Sequence, residues 1–170
     1  MRALPHLVPI VIVALLTILA AAPWGVGANG RFLLPLVPFL AIAHWALLRP
    51  GQMPAGLAFA SGLCLDVLTN GPLGYWSFVF LSGHLLALWM PSDGHPALLQ
   101  RWLHFLPVMG VVVLVEWCIS SLYFMRAAEV SALLWAASVA IATFPILSAL
   151  LMLLEPRISE HRALQLERRG

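Results

Sequence analysis

Two carboxylates interrupt long apolar runs in this sequence, and any chemistry begins with them. Asp66 closes the run Phe59-Ala60-Ser61-Gly62-Leu63-Cys64-Leu65-Asp66, just before the turn Thr69-Asn70-Gly71-Pro72-Leu73-Gly74. Glu116 lies in the middle of another run, with Ser120 one helical turn on. A carboxylate in apolar surroundings is costly unless it reaches water, is hydrogen-bonded or is neutralised. Three roles are open to Asp66. It is a helix-end residue that reaches headgroup water, a lock that accepts backbone N–H groups from the turn or caps the next helix, or a proton or ligand site. Glu116 is either a neutral, hydrogen-bonded interior acid or a contact for Asp66, a histidine or a polar group on a partner's span.

The usual catalytic arrangements are missing. An intramembrane aspartyl protease needs two suitable carboxylates, and Asp66 is the only Asp in an apolar run. Ser61-Gly62 lacks the preceding glycine of a nucleophile elbow, and no histidine is placed as its base. His44, His84 and His104 are possible ligands for haem or metal, but no two stand at i, i+4 and no carboxylate sits beside one at ligand spacing. Cys64 and Cys118 sit inside apolar runs without metal-ligand spacing and read as small packing residues. The expectation is therefore a non-enzyme, with no catalytic, cofactor-binding or metal residues and no cofactor.

The elements that hold these residues follow from composition. Hydrophobic residues make up 62% of the 170 and charged residues 9%, where a soluble domain carries roughly a quarter charged. The mean hydropathy is +0.95. So few charges cannot cover a water-facing surface, and lipid is the solvent that fits. The net charge of +2, without a basic-aromatic patch, excludes nucleic acid. Apolar runs near the length of about 20 residues needed for a span predict six transmembrane helices over 4–22, 32–48, 53–68, 72–90, 102–124 and 130–154. The third is short and is either a complete span or half of a re-entrant hairpin. Residues 1–154 thus form one polytopic membrane domain, and 155–170 a short cytoplasmic tail. Six spans place Arg2, Arg49, Arg101, Arg157, Arg162, Arg168 and Arg169 on one side and Arg31 and Arg126 on the other. The positive-inside rule then puts both termini in the cytoplasm. Trp24, Trp45, Trp76, Trp89, Trp102 and Trp117 fall mostly near predicted span ends and read as interfacial anchors.

Around Asp66 the sequence has clear mechanics. Ala58, Gly62 and Asp66 share one helix face, a small-residue stripe that lets another helix come close. Asn70-Gly71 tolerates positive φ after a helix end, Pro72 suits the first turn of the next helix, and Gly74 removes a side chain where two helices pass. The expected product is a tight helical hairpin.

These residues carry a resemblance. Phe59, Gly62, Leu63 and Asp66, then Gly71-Pro72-Leu73-Gly74, look like the F-x-x-G-L-x-x-D and G-x-L-G signatures of the bacterial rod shape-determining protein MreD family. Length, span count and short loops agree along the whole chain, whereas Asn70 and Glu116 match no part of that pattern. The resemblance implies a compact all-α bundle of about six spans in the bacterial cytoplasmic (inner) membrane, similar in fold to the substrate-binding subunits of energy-coupling-factor vitamin importers. It also implies a non-enzymatic part of the cell-wall elongation complex, or elongasome. In that role the chain binds MreC and works with MreB, RodA and a class B penicillin-binding transpeptidase to organise peptidoglycan synthesis. The vitamin-importer likeness keeps a second class open, a membrane subunit or transporter that binds a small molecule.

Overall fold

A computed structural model describes residues 4–25, 30–90, 97–125 and 129–154. Six α-helices account for nearly all of them: α1 (Leu4–Ala21), α2 (Gly30–Leu48), α3 (Ala55–Leu68), α4 (Tyr75–Trp89), α5 (Leu98–Tyr123) and α6 (Val130–Leu154), with a 3-10 turn at Pro50–Gln52. There is no strand among the described residues. The described part of the chain is all-helical, as its apolar runs predict.

Helix α2 is the hub, touching each of the other five helices. Its sequence explains why: from Phe39 to Leu48 every residue is buried and only His44 is polar, so the helix has no face to offer solvent. Neighbouring helices pair around it, α1 with α2, α3 with α4, α4 with α5 and α5 with α6. Aromatic side chains fill the interior. Phe105 of α5 stacks on Phe144 of α6 with ring centroids 3.9 Å apart, and Phe80 of α4 meets Phe39 of α2 at 5.7 Å. Among the described residues two helices, Leu98–Tyr123 and Val130–Leu153, are long and apolar enough to cross a membrane. Helix α3 has 14 residues and so is about 21 Å long at about 1.5 Å per residue, short of the roughly 30 Å of hydrocarbon in a bilayer.

Several expectations shift against this frame. Helix α5 begins at Leu98 instead of 102, and α4 begins at Tyr75 instead of 72. Trp45 and Trp76 are core residues, 1% and 7% exposed, because one lies on the hub helix and the other is drawn inward at the start of α4. Trp24 and Trp89 are exposed at helix ends, where the anchor reading put them. Cys64 and Cys118 do not fill the core but lie on the exposed faces of α3 and α5. The expected tail, 155–170, lies outside the described residues, as do Arg2 and Arg126.

Candidate functional site

The α3–α4 turn is built around Asp66, which holds it from both sides. Helix α3 ends in a Schellman motif: the Asn70 N–H donates to the Val67 carbonyl at 3.3 Å, and the Gly71 N–H donates to the Asp66 carbonyl at 2.9 Å. Asn70 occupies the left-handed position this motif requires, at φ 51°. The Asp66 side chain then reaches across the turn. Its Oδ2 accepts the Gly74 N–H at 2.9 Å, its Oδ1 accepts the Trp76 N–H at 3.0 Å, and the Ser77 hydroxyl donates to Oδ2 at 3.4 Å.

This is N-capping by a residue from the preceding helix. Gly74, the N-cap of α4, has no side chain to offer, so the acceptor for the early helical amides comes from α3. A carboxylate there also complements the positive end of the α4 dipole. Asp66 is fully buried, so these bonds replace water that it cannot reach. Of the three roles open in the sequence, the geometry supports the lock.

Each motif residue has a definite place. Gly62 lies on the buried face of α3 with Ala58, directly against the first turn of α4. A Cβ at position 62 would stand 2.4 Å from the Ser77 amide nitrogen and 2.5 Å from the Trp76 carbonyl carbon. Close approach is therefore the work of Gly62. Gly74, expected to provide it, faces open space; it is needed because its φ is +92°, a left-handed conformation disfavoured with a Cβ. Pro72 is not in the first turn of α4. It precedes the helix, and its carbonyl accepts the Tyr75 N–H at 3.1 Å. Gly71 supplies the amide of the Schellman bond without positive φ. Phe59 is on the exposed face of α3, away from the hairpin contact.

Glu116 does not join Asp66 directly, although both carboxylates act electrostatically on Tyr75. The Tyr75 hydroxyl shares a 2.7 Å hydrogen bond with Ser120, one turn beyond Glu116 on α5. Glu116 is 1% exposed, and its Oε1 has no hydrogen-bond partner. At that depth it cannot meet a polar group on another protein's span, which removes one of its expected contacts. Sequence reasoning missed Tyr75. Its signal was an i, i+4 pair on α5, Glu116 and Ser120, calling for a hydroxyl opposite. Tyr75→Phe is expected to lower stability by about 1 kcal/mol, the usual worth of one buried hydrogen bond, with thermal melting in detergent as the measurement.

The histidines are scattered. His44 on α2 is bonded through Nδ1 to the Ser148 hydroxyl of α6 at 2.8 Å, whereas both ring nitrogens of buried His84 lack partners. Among the described residues no three His, Cys, Asp or Glu side chains are grouped to hold a metal ion. Beside the hairpin a shallow groove of about 620 Å³ is lined by Pro72, Leu73, Tyr75 and Phe78, and by Ile119 and Tyr123 of α5. Comparison of the chain with protein families, with curated proteins and with solved structures finds no match.

Proposed function

We propose that this chain is a multi-pass protein of the bacterial inner membrane that acts by assembly, without catalysis, as an MreD-like component of the rod-shape elongation complex. The observation that carries the reading is the hairpin: the signature residues Gly62, Asp66 and Gly74 converge on one α3–α4 joint that Asp66 locks. The carboxylate accepts hydrogen bonds and holds the backbone in one shape, which is the behaviour of a scaffold.

The membrane part of the reading is supported by what faces outward. Leu15 and Ile18 on α1, Val67 on α3, Phe78 on α4, Leu114 on α5 and Ile146 and Leu150 on α6 are all exposed. Apolar side chains on the outer faces of these helices would aggregate in water and are at home in lipid. All six helices then span or enter the bilayer, the shorter ones through local thinning or burial of their ends. Both termini face the cytoplasm, following the arginine distribution.

A bundle with short loops offers a partner mainly its spans and the rims around them. The leading partner is MreC, with MreB, RodA and a class B penicillin-binding transpeptidase in the same complex. The test is co-purification of the full chain with MreC in mild detergent, alongside cell-shape complementation. Asp66→Ala and Gly74→Leu are expected to reduce both, because each deforms the hairpin. Normal rod shape with normal complex recovery in both variants would overturn the proposal.

A further inference from the structure

Helices α5 and α6 each carry a proline at the same level of the bundle. Pro107 lies inside α5 and Pro145 inside α6, and beside them the fully buried rings of Phe105 and Phe144 stack on one another. Proline has no N–H, so Pro107 leaves the Leu103 carbonyl, and Pro145 the Ile141 carbonyl, without the usual helical donor four residues on. Sharp bends in helices concentrate at such positions. The level therefore divides the antiparallel α5–α6 pair into two parts, 98–106 with 146–154 and 108–123 with 130–144. The Arg101 Nη1 donates to the Met152 Sδ at 3.2 Å within the first part. The Trp102 indole instead crosses from one part to the other: its Nε1 donates to the Ile141 carbonyl at 3.0 Å. That is the carbonyl which Pro145 deprives of its helical partner. Trp102, placed near a span end by the sequence, thus turns its N–H toward the neighbouring helix.

We propose that the level of Phe105 and Phe144 is a hinge, that Trp102 is its latch, and that release of the latch lets residues 146–154 of α6 swing away from α2 and α5. In a bilayer a carbonyl freed by proline finds no water, and a donor from a neighbouring helix takes the place of the missing N–H. Here that donor comes from the far side of the hinge, so making the bond also closes the joint. Beyond the hinge α6 is tied to α2 by the 2.8 Å bond between Ser148 and His44, and to α5 by the Arg101 contact with a thioether, a weak acceptor. These ties are few beside the carboxylate lock at the other end of the bundle, where Asp66 accepts from Gly74, Trp76 and Ser77. One end of the molecule is fixed and the other is built to move. The hinge rests on the membrane reading above but not on the identity of the protein partner, so loss of MreC co-purification would leave it standing.

The test is a spin-label distance across the moving end of the full chain in lipid nanodiscs. Labels go on Val11→Cys of α1 and Leu153→Cys of α6, both exposed positions, with Cys64 and Cys118 replaced by serine. Leu153 lies eight residues past Pro145, or about 12 Å at about 1.5 Å per residue, so a bend of about 20° displaces it by about 4 Å. The latched protein is expected to give one narrow distance distribution. Trp102→Phe keeps an aromatic ring and removes only the donor; it should shift the mean by up to that amount or add a second population. Pro145→Ala in the Trp102→Phe background returns an N–H to the Ile141 carbonyl and should bring back the single narrow distribution. An unchanged distribution in Trp102→Phe would overturn the latch, and so would a shift that Pro145→Ala does not reverse. If Trp102→Phe does not fold, the double variant decides alone: folding with the narrow distribution supports the latch, and failure to fold overturns it.

Discussion

Gly62→Leu is expected to abolish the native α3–α4 pairing, and even Gly62→Ala should cost about 3 kcal/mol, at the upper end of overpacking effects. The reason is what the new Cβ meets. Its nearest neighbours would be the Ser77 amide nitrogen at 2.4 Å and the Trp76 carbonyl carbon at 2.5 Å, both backbone atoms of a capped helix start. A side chain in the way can rotate, but this backbone is held by Asp66. Relief requires moving α3 away from α4, which stretches the Asp66 bonds to Gly74 and Trp76. The effect should therefore exceed that of Gly83→Ala, whose Cβ meets the side chains of Phe39 and Val112. Gly56→Ala and Gly110→Ala face open space and should be neutral or slightly stabilising, since alanine is favoured over glycine in a helix by up to about 1 kcal/mol. Thermal melting of the four alanine variants in one detergent checks the order. Equal melting temperatures for Gly62→Ala and Gly110→Ala would mean that the close contact is not tight in solution.

Asp66→Ala should be nearly as damaging, by a different route. It strips acceptors from the Gly74 and Trp76 amides and the Ser77 hydroxyl, and Trp76 is buried where water cannot substitute. A buried donor left unsatisfied costs about 1–3 kcal/mol, and loss of a helix cap typically about 1 kcal/mol, so about 3 kcal/mol in total is expected. Asp66→Asn separates the lock from a proton or ligand role. Its amide keeps one oxygen to accept from Trp76 or Gly74, but its NH2 cannot accept from the other. About half the loss should therefore persist. Hydrogen exchange reads this directly: the Gly74 and Trp76 amides should exchange fastest in the alanine variant and at an intermediate rate in the asparagine variant. If both amides stay as protected as in the unaltered protein, the carboxylate is not what caps α4, and a reactive role returns to consideration.

The two substitutions share a logic. Gly62 allows the helices to touch, and Asp66 fixes the angle at which they do. A double variant should lose less than the sum of the single losses, because once α3 has moved away the capping bonds are already broken.

Helix number and approximate position were legible in the sequence because they depend on local quantities. Six apolar runs, with turns marked by proline, glycine and asparagine, correspond to six helices, and the Asn70 turn follows from the conformations those residue types accept. The placement of side chains between helices was not legible. The sequence left Asp66 with three possible roles, since its donors lie eight and ten residues onward and only packing turns the carboxylate toward them. For the same reason Gly74 changed part: the sequence marked both Gly62 and Gly74 for close helix approach, but only the tertiary contact shows that Gly62 is the one that faces another backbone. Trp45 and Trp76 look like interfacial anchors by position along the chain. Their burial follows from α2 taking the centre of the bundle, a relation among six helices that no single run contains. Pattern along the chain determined where helices begin, end and turn, because those costs are local. Packing decided which polar groups meet, because the free energy of burying Asp66 depends on amides that reach it only once α3 and α4 are paired.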